Sequence, residues 1–473
     1  MSDPSPTLLW LRRDLRLADH PALLAALARG GPVIPVFIRD AAVDGMGAAP
    51  KWRLGLSLED LARRLEHMGS RLILRSGPAR EVLRKLVQET GAGVVHWSRL
   101  YDAPAIARDR RVKAALGADG VTAQSHPGHV LFEPWTVETG TGGYYRVYSP
   151  MWRAVKDRDV PAPDPAPSRI PAPDHWPESE WLADWRMGAA MNRGAEVCRA
   201  HQRVGERAAR DRLDWFTGHA IAAYAEARDR PAGDGCSGLS ENLTYGEISP
   251  RQCWHAGLRA LHEGARGAEP WLKELVWREF AWHLIYHTPE IATRNWRAGW
   301  DSFPWSEQED DTVLRWKQGR TGVPFVDAAM REMYVTGRMH NRARMIVASY
   351  LTKHMLVHWK VGMRWFADCL TDWDPASNAL GWQWVAGSGP DAAPYFRIFN
   401  PDTQAEKFDP KGQYRRRWIA EGQGVPPATA LSFFDAIPRG WGLAPDQPYP
   451  TSPVVGLKAG RDRALAAYEA RDF

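Results

Sequence analysis

The sequence predicts an α/β domain followed by an all-α domain: an N-terminal doubly wound parallel sheet of Rossmann-like build, an extended linker, and a helical C-terminal domain. Three observations predict it. Short apolar runs alternate with helical patterns over residues 1–131, a proline-rich stretch occupies 160–175, and helical periodicity is almost unbroken beyond residue 198. At 473 residues the chain exceeds the roughly 250–300 at which single cores stop growing. The expected division is 1–131, 132–197 and 198–473.

Residues 7–11 (TLLWL), 32–37 (PVIPVF), 71–75 (RLILR) and 94–97 (VVHW) are the expected strands, several rich in β-branched residues. Helical patterns over 21–29, 52–68 and 79–90 separate them, as a parallel sheet requires. No GxGxxG or GxxxxGK[ST] accompanies them, so a dinucleotide or P-loop site is not supported. The run VPAPDPAPSRIPAPDH at 160–175 cannot hold a continuous helix or a central strand and reads as an extended connector. Helices are expected over 198–226, 249–264, 269–287, 325–336, 341–359 and 363–370.

Composition narrows the class. Forty-four per cent hydrophobic and 25% charged residues are ordinary for a folded soluble chain. No stretch approaches the roughly 20 apolar residues of a membrane span, and the N-terminus carries no secretory pattern, so a cytoplasmic monomer is expected. A net charge of +5 permits contact with nucleic acid without demanding it. Cys198, Cys236, Cys253 and Cys369 show no metal or cluster spacing, and no metal is expected. Twenty-four tryptophans exceed what a core alone selects, and base-stacking platforms and redox relays both use indoles.

Three helical segments concentrate chemistry. Trp271, Glu274 and Arg278 recur at helical spacing with Trp277 beside them, a poor stripe for a core because buried charges need partners. A surface helix with an internal Glu274–Arg278 pair is the plainer reading of that face. Asn341, Arg344 and Met345 share another face. Asp372, Asp374 and Asn378, followed by Trp382 and Trp384, combine carboxylates, an amide and alternating indoles.

These segments resemble the photolyase/cryptochrome family. The resemblance rests on the runs 10–16 (WLRRDLR), 235–240 (GCSGLS), 246–250 (GEISP), 274–280 (ELVWREF), 339–342 (MHNR), 381–385 (GWQWV) and 391–401 (DAAPYFRIFNP), and it covers essentially the whole chain. Within the family, the residues at 274, 277, 341, 345 and 384 are those of enzymes acting on cyclobutane pyrimidine dimers. Asn341 stands where the (6-4)-specific members place a catalytic histidine. The competing reading is a cryptochrome-type blue-light receptor with no repair activity.

The resemblance implies FAD as cofactor, with FADH− the active form. Tyr224, Ser237, Leu239 and Ser240 would hold its phosphate and ribityl portion, aided by backbone N–H groups at the helix starting near Ser249. Trp271, Arg278, Arg344, Asp372 and Asp374 would line the ring, and Asn378 would face N5. UV-damaged DNA is the implied partner, its dimer flipped out of the duplex. Trp277 and Trp384 would stack on the bases, Glu274 and Asn341 hydrogen-bond to them, Met345 form a wall, and Arg228, Arg342 and Arg397 meet the flanking phosphates. Trp382, Trp359 and Trp305 match an electron relay. An antenna chromophore is implied in the N-terminal domain, with methenyltetrahydrofolate preferred over 8-hydroxydeazaflavin although Pro104-Ala105 replaces the usual Asn-Glu after Tyr101. Two further departures stand out: Cys236-Ser237-Gly238 replaces the usual Thr-Ser-Arg, and Glu241 replaces a proline.

Overall fold

The computed structural model describes residues 5–392 and 396–473. Residues 1–4 of the N-terminus and Ala393, Pro394 and Tyr395 of the matched block 391–401 lie outside the described residues. Five parallel strands, β1 (Thr7–Leu11), β2 (Val33–Arg39), β3 (Ile73–Ser76), β4 (Val94–Ser98) and β5 (Thr122–His126), form one sheet in the order β3-β2-β1-β4-β5. Alternation along the strands divides the core in two. Leu9, Leu11, Val33 and Phe37 face one layer of helices, while Leu8, Trp10, Ile34 and Val36 face the other.

β5 and the helix Ala103–Ala118 before it escape the sequence reading. The strand is Thr-Ala-Gln-Ser-His, half-exposed at the sheet edge, and carries no apolar run to mark it. At the opposite edge the connector covers β3, where Glu180 N–H donates to the Leu74 carbonyl and Ser179 Oγ accepts from Leu74 N–H. Ile170 of the same segment is buried against the first core layer.

The C-terminal half is helical around two large cores. Two expected helices are interrupted. The stretch 198–226 divides into Gly194–Arg199, Gly205–Trp215 and Tyr224–Ala227, with Gly205 at φ +91° and a π-helical turn over Phe216–Ala220. The stretch 341–359 ends as a helix at Ser349, continues as a π-helical turn over Tyr350–His354, and resumes at Trp359 after Leu356 at φ +53°. Neither interruption contains the proline that usually marks a break.

A buried ion pair joins the halves. Arg53 of the helix Ala48–His67 meets Glu247 at 2.8 Å, both side chains fully buried, and Asn242 Nδ2 donates to the same carboxylate at 2.6 Å. Breaking such a pair from one side costs about 3–5 kcal/mol. Glu279 makes a second tie, accepting from Leu131 and Phe132 N–H at 2.6 and 3.2 Å and from Arg278 at 3.0 Å. Burial pushes its carboxyl up to about 7 against the pull of those donors. Among the described residues, no helix is long and apolar enough to cross a membrane, and no group of His, Cys, Asp or Glu is placed to hold a metal.

Candidate functional site

A cavity of about 1080 Å³ opens in the helical half. Its walls come from the helices Ala268–His287, Asn341–Ser349 and Pro375–Ala386 and from the loop at 231–240. Tyr224, Ser237, Leu239, Ser240, Trp271, Glu274, Trp277, Arg278, Asn341, Arg344, Met345, Asp372, Asp374, Asn378, Trp382 and Trp384 all line it, as does Arg228. Residues far apart in sequence thus share one space, because each helix turns its mixed polar–aromatic face inward.

Local folding fixes these faces. Asp374 caps the helix Pro375–Ala386 by accepting from Ser377 N–H at 2.7 Å, with proline at the first position. Its other oxygen accepts from Trp282 Nε1 at 3.1 Å, so both oxygens already have partners. Asn378 Nδ2 donates to the Asp374 carbonyl at 2.9 Å, which leaves Oδ1 as an acceptor. His340 caps the helix Asn341–Ser349 through Nδ1, accepting from Arg342 N–H at 3.2 Å. That bond needs an unprotonated Nδ1, and burial lowers the His340 pKa to about 4.

The charge pairing differs from the sequence expectation. Glu274 does not pair with Arg278. Its Oε1 accepts from Arg228 at 2.6 Å, while Arg278 turns to Glu279 and, at 3.4 Å, to His129. Burial works against the Arg228 charge, but Glu274 more than offsets it and raises the guanidinium above its ordinary value. Arg344 binds both oxygens of Asp372 at 2.8 and 3.0 Å. Arg342 pairs with Asp229 at 2.7 Å, and Arg397 lies 5.9 Å from the Trp384 ring.

One aromatic partner escapes the sequence reading. Tyr148, from the short helix Tyr148–Val155 of the connector, stacks on Trp277 at 3.8 Å and 5° and donates through its hydroxyl to the Lys273 carbonyl. The dense run Tyr144-Tyr145-Arg146-Val147-Tyr148 is the signal that could have found it. Trp384 is held by its indole N–H, which donates to Asp391 O at 3.0 Å.

The helix start near Ser249 is a correction. Ser249 is buried outside the cavity lining, and a reciprocal cap with Gln252 occupies the groups expected to face a phosphate. Ser237 and Ser240 do reach the cavity, and Cys236 lies beside them, burial raising its thiol to about 11.

Trp382 lines the cavity and is 3% exposed. Its ring lies so close to Gly362 that a Cβ there would sit 2.1 Å from Cη2, so only glycine fits. Gly362 is one turn along from Trp359, which is fully buried and donates to Asn295 at 2.8 Å. His358 bridges outward, 5.2 Å from Trp359 and 5.3 Å from Trp305. Trp305 is half-buried and stacks on Trp300 at 5.4 Å.

The comparisons agree with this architecture. The family model described as DNA photolyase matches residues 7–169, and that described as the FAD binding domain of DNA photolyase matches 271–470. A deoxyribodipyrimidine photo-lyase of Agrobacterium fabrum is 46% identical over 98% of each chain. The crystal structure of a bacterial class III photolyase from Agrobacterium tumefaciens superposes with a TM-score of 0.91 at 44% identity, covering 99% of this chain and 98% of that one. A cryptochrome structure from Synechocystis gives 0.84 at 27% identity, covering 99% and 100%.

Proposed function

The chain belongs to the DNA photolyase family, and from that premise we propose that it is an FAD-dependent deoxyribodipyrimidine photo-lyase acting on cyclobutane pyrimidine dimers in DNA. The observation that carries this reading is the convergence of Trp277, Trp384, Glu274, Asn341 and Met345 on one cavity that also holds Trp271, Arg344, Asp372 and Asn378.

The cavity suits FAD. Its volume admits a ligand of that size, and its lining offers an apolar floor in Trp271 and Leu275, a fixed cation in Arg344, an amide acceptor in Asn378, and serines and arginines at the loop. FAD held there in its reduced form would supply light-driven electron transfer to the dimer and take the electron back, with no net redox change. Arg344 favours a negative charge on the ring, with Asp372 fixing its direction. Arg278, held by Glu279, borders the same space.

The remaining residues handle the lesion. Extrusion from the duplex costs about a few kcal/mol, less for a damaged base, and stacking on Trp277 and Trp384 returns about 1–3 kcal/mol per base. Trp277 has one face on Tyr148 and offers the other. Glu274 accepts a hydrogen bond from the base, and Arg228 beside it neutralises the repulsion that a lone carboxylate would exert on a dimer gaining charge. Asn341 gives the second base a donor and an acceptor. Met345 packs against the pair, and Arg342 and Arg397 engage the flanking phosphates, Arg342 sharing its charge with Asp229. Trp305, Trp359 and Trp382 pass electrons inward to restore the reduced state.

The N-terminal domain is proposed to hold the antenna, methenyltetrahydrofolate in preference to a deazaflavin. Pro104 and Ala105 open the helix Ala103–Ala118 behind the Asp102 cap and supply no polar side chain to a folate there. The absorbance spectrum of purified protein distinguishes the two chromophores.

The decisive experiment exposes a thymine-dimer oligonucleotide to fully reduced protein. Restoration under blue light but not in the dark is expected. No restoration under light overturns the repair reading and leaves that of a receptor.

A further inference from the structure

Beside the cavity, two residues depart from the family pattern and both face arginines from elsewhere in the chain. At position 238 glycine replaces arginine, with φ +64°. A Cβ placed there would sit 3.3 Å from Arg203 Nη1 and 3.7 Å from Arg212 Nε, so the guanidinium groups of two other elements fill the space above the loop. At position 241 glutamate replaces proline. It is fully buried, hydrogen-bonds with Thr371 Oγ1, and lies 4.0 Å from Arg338 Nε.

The three arginines have different duties. Arg212 is committed to structure: it grips both oxygens of Asp234 at 2.6 and 2.9 Å and donates to the carbonyls of Cys236 and Ser237 at 2.6 and 2.7 Å. Arg338 is anchored by one bond, Nη2 to the His201 carbonyl at 2.7 Å, and by Glu241. The Arg203 guanidinium has no hydrogen bond or ion pair among the described residues, although it is half-buried. Burial above all, and then its neighbours Arg338 and Arg212, disfavour its charge, and Asp234 and Glu241 oppose them less strongly. All three line the cavity beside Ser237 and Ser240. Three arginines against two carboxylates, with N–H donors of Arg203 and Arg338 still unspent, make a cluster suited to an anion with several acceptor oxygens.

We propose that Arg203 and Arg338 bind the diphosphate of FAD in place of the missing loop arginine, with Gly238 clearing the space for Arg203 and Glu241 aiming Arg338. The proposal rests on the reading of this cavity as the FAD site. It accounts for two sequence departures at once: the cation lost from the loop is supplied from the break before Gly205 and from the turn after Gly337. Arg212 braces the loop and does not touch the cofactor.

The test uses the full chain with Arg203→Ala, Arg338→Ala and both together. FAD release from purified holoprotein is followed by the fluorescence of the freed flavin, and the emptied protein is refilled with FAD or riboflavin. Loss of charge-assisted hydrogen bonds should weaken FAD binding by about tenfold or more in the double variant. Riboflavin, which has the ring but no phosphate, should bind all forms alike, and the FAD preference of the unaltered protein should shrink in high salt. Melting temperatures of the emptied proteins check that folding is intact. Equal losses for FAD and riboflavin, or no loss for either, overturn the proposal. So does unchanged FAD binding with weakened binding of lesion DNA, which would assign these arginines to the nucleic acid. Failure of the unaltered protein to retain FAD would instead remove the cofactor reading itself.

Discussion

Two walls of the cavity are assembled in different ways. Trp271, Glu274, Trp277, Asn341, Met345, Trp382 and Trp384 stand on three regular helices, whereas Arg203 and Arg338 stand where helices stop. Arg203 lies between Arg199 and Gly205, and Arg338 follows Gly337, whose φ of +71° ends the helix Pro324–Thr336. The first wall depends on side-chain identity at helical spacing. The second depends on backbone conformation bringing unrelated turns together.

The largest effect is expected on the indole side. Trp382→Phe should abolish light-driven reduction of the oxidised holoprotein while leaving repair by chemically reduced protein intact. Absorbance under blue light and dimer repair after reduction measure the two separately, and loss of both would assign Trp382 to packing over Gly362. Next, Trp277→Ala should weaken binding of dimer-containing DNA by about 5–150-fold, the equivalent of about 1–3 kcal/mol, without releasing flavin. A titration by electrophoretic mobility reads it, and equal weakening for undamaged DNA would count against stacking. Glu274→Gln should lower the repair yield per photon several-fold at saturating substrate, because the amide is a weaker acceptor than the carboxylate and no longer holds Arg228 in an ion pair beside the base.

The smallest effect concerns the tie between the halves. Glu279 has its pKa raised to about 7, so between its ordinary value and 7 the folded protein binds more protons than the unfolded chain. Its contribution is therefore full at low pH and is lost as pH rises through about 7. Glu279→Gln should remove this decline, and the melting temperatures of the two proteins should converge or cross by on the order of a few degrees between mildly acidic and mildly basic pH. Parallel curves would mean the carboxyl titrates normally.

The same contrast explains what the sequence discloses. Residues on one face of a long helix announce themselves by a period of 3.6, so spacing alone groups Asn341, Arg344 and Met345. Four strands are legible because they are buried apolar runs; β5 is not, because its edge is half-exposed and carries no apolar run, whereas the connector covers the other edge at β3. The Glu274–Arg228 pair is hidden, since a spacing of four within one helix suggests Arg278 and only the tertiary fold brings residue 228 across. Ser249 misleads for a related reason: a capped helix start has the same sequence whether it faces a ligand or the interior. Helix breaks made by π-turns carry no proline, and the arginines beside the breaks at Gly205 and Gly337 leave no periodic trace.

The Tyr148–Trp277 stack has a thermodynamic consequence. An indole that must be immobilised on binding costs about 0.5–1.5 kcal/mol in lost rotamer freedom, and here the tyrosine meets that cost during folding. The connector that carries Tyr148 thus acts on recognition from a distance in sequence, by keeping the receiving surface flat and still before a base arrives. Lesion capture at this wall should therefore show a small entropic penalty, and Tyr148→Ala should enlarge it while leaving every residue that touches the base unchanged.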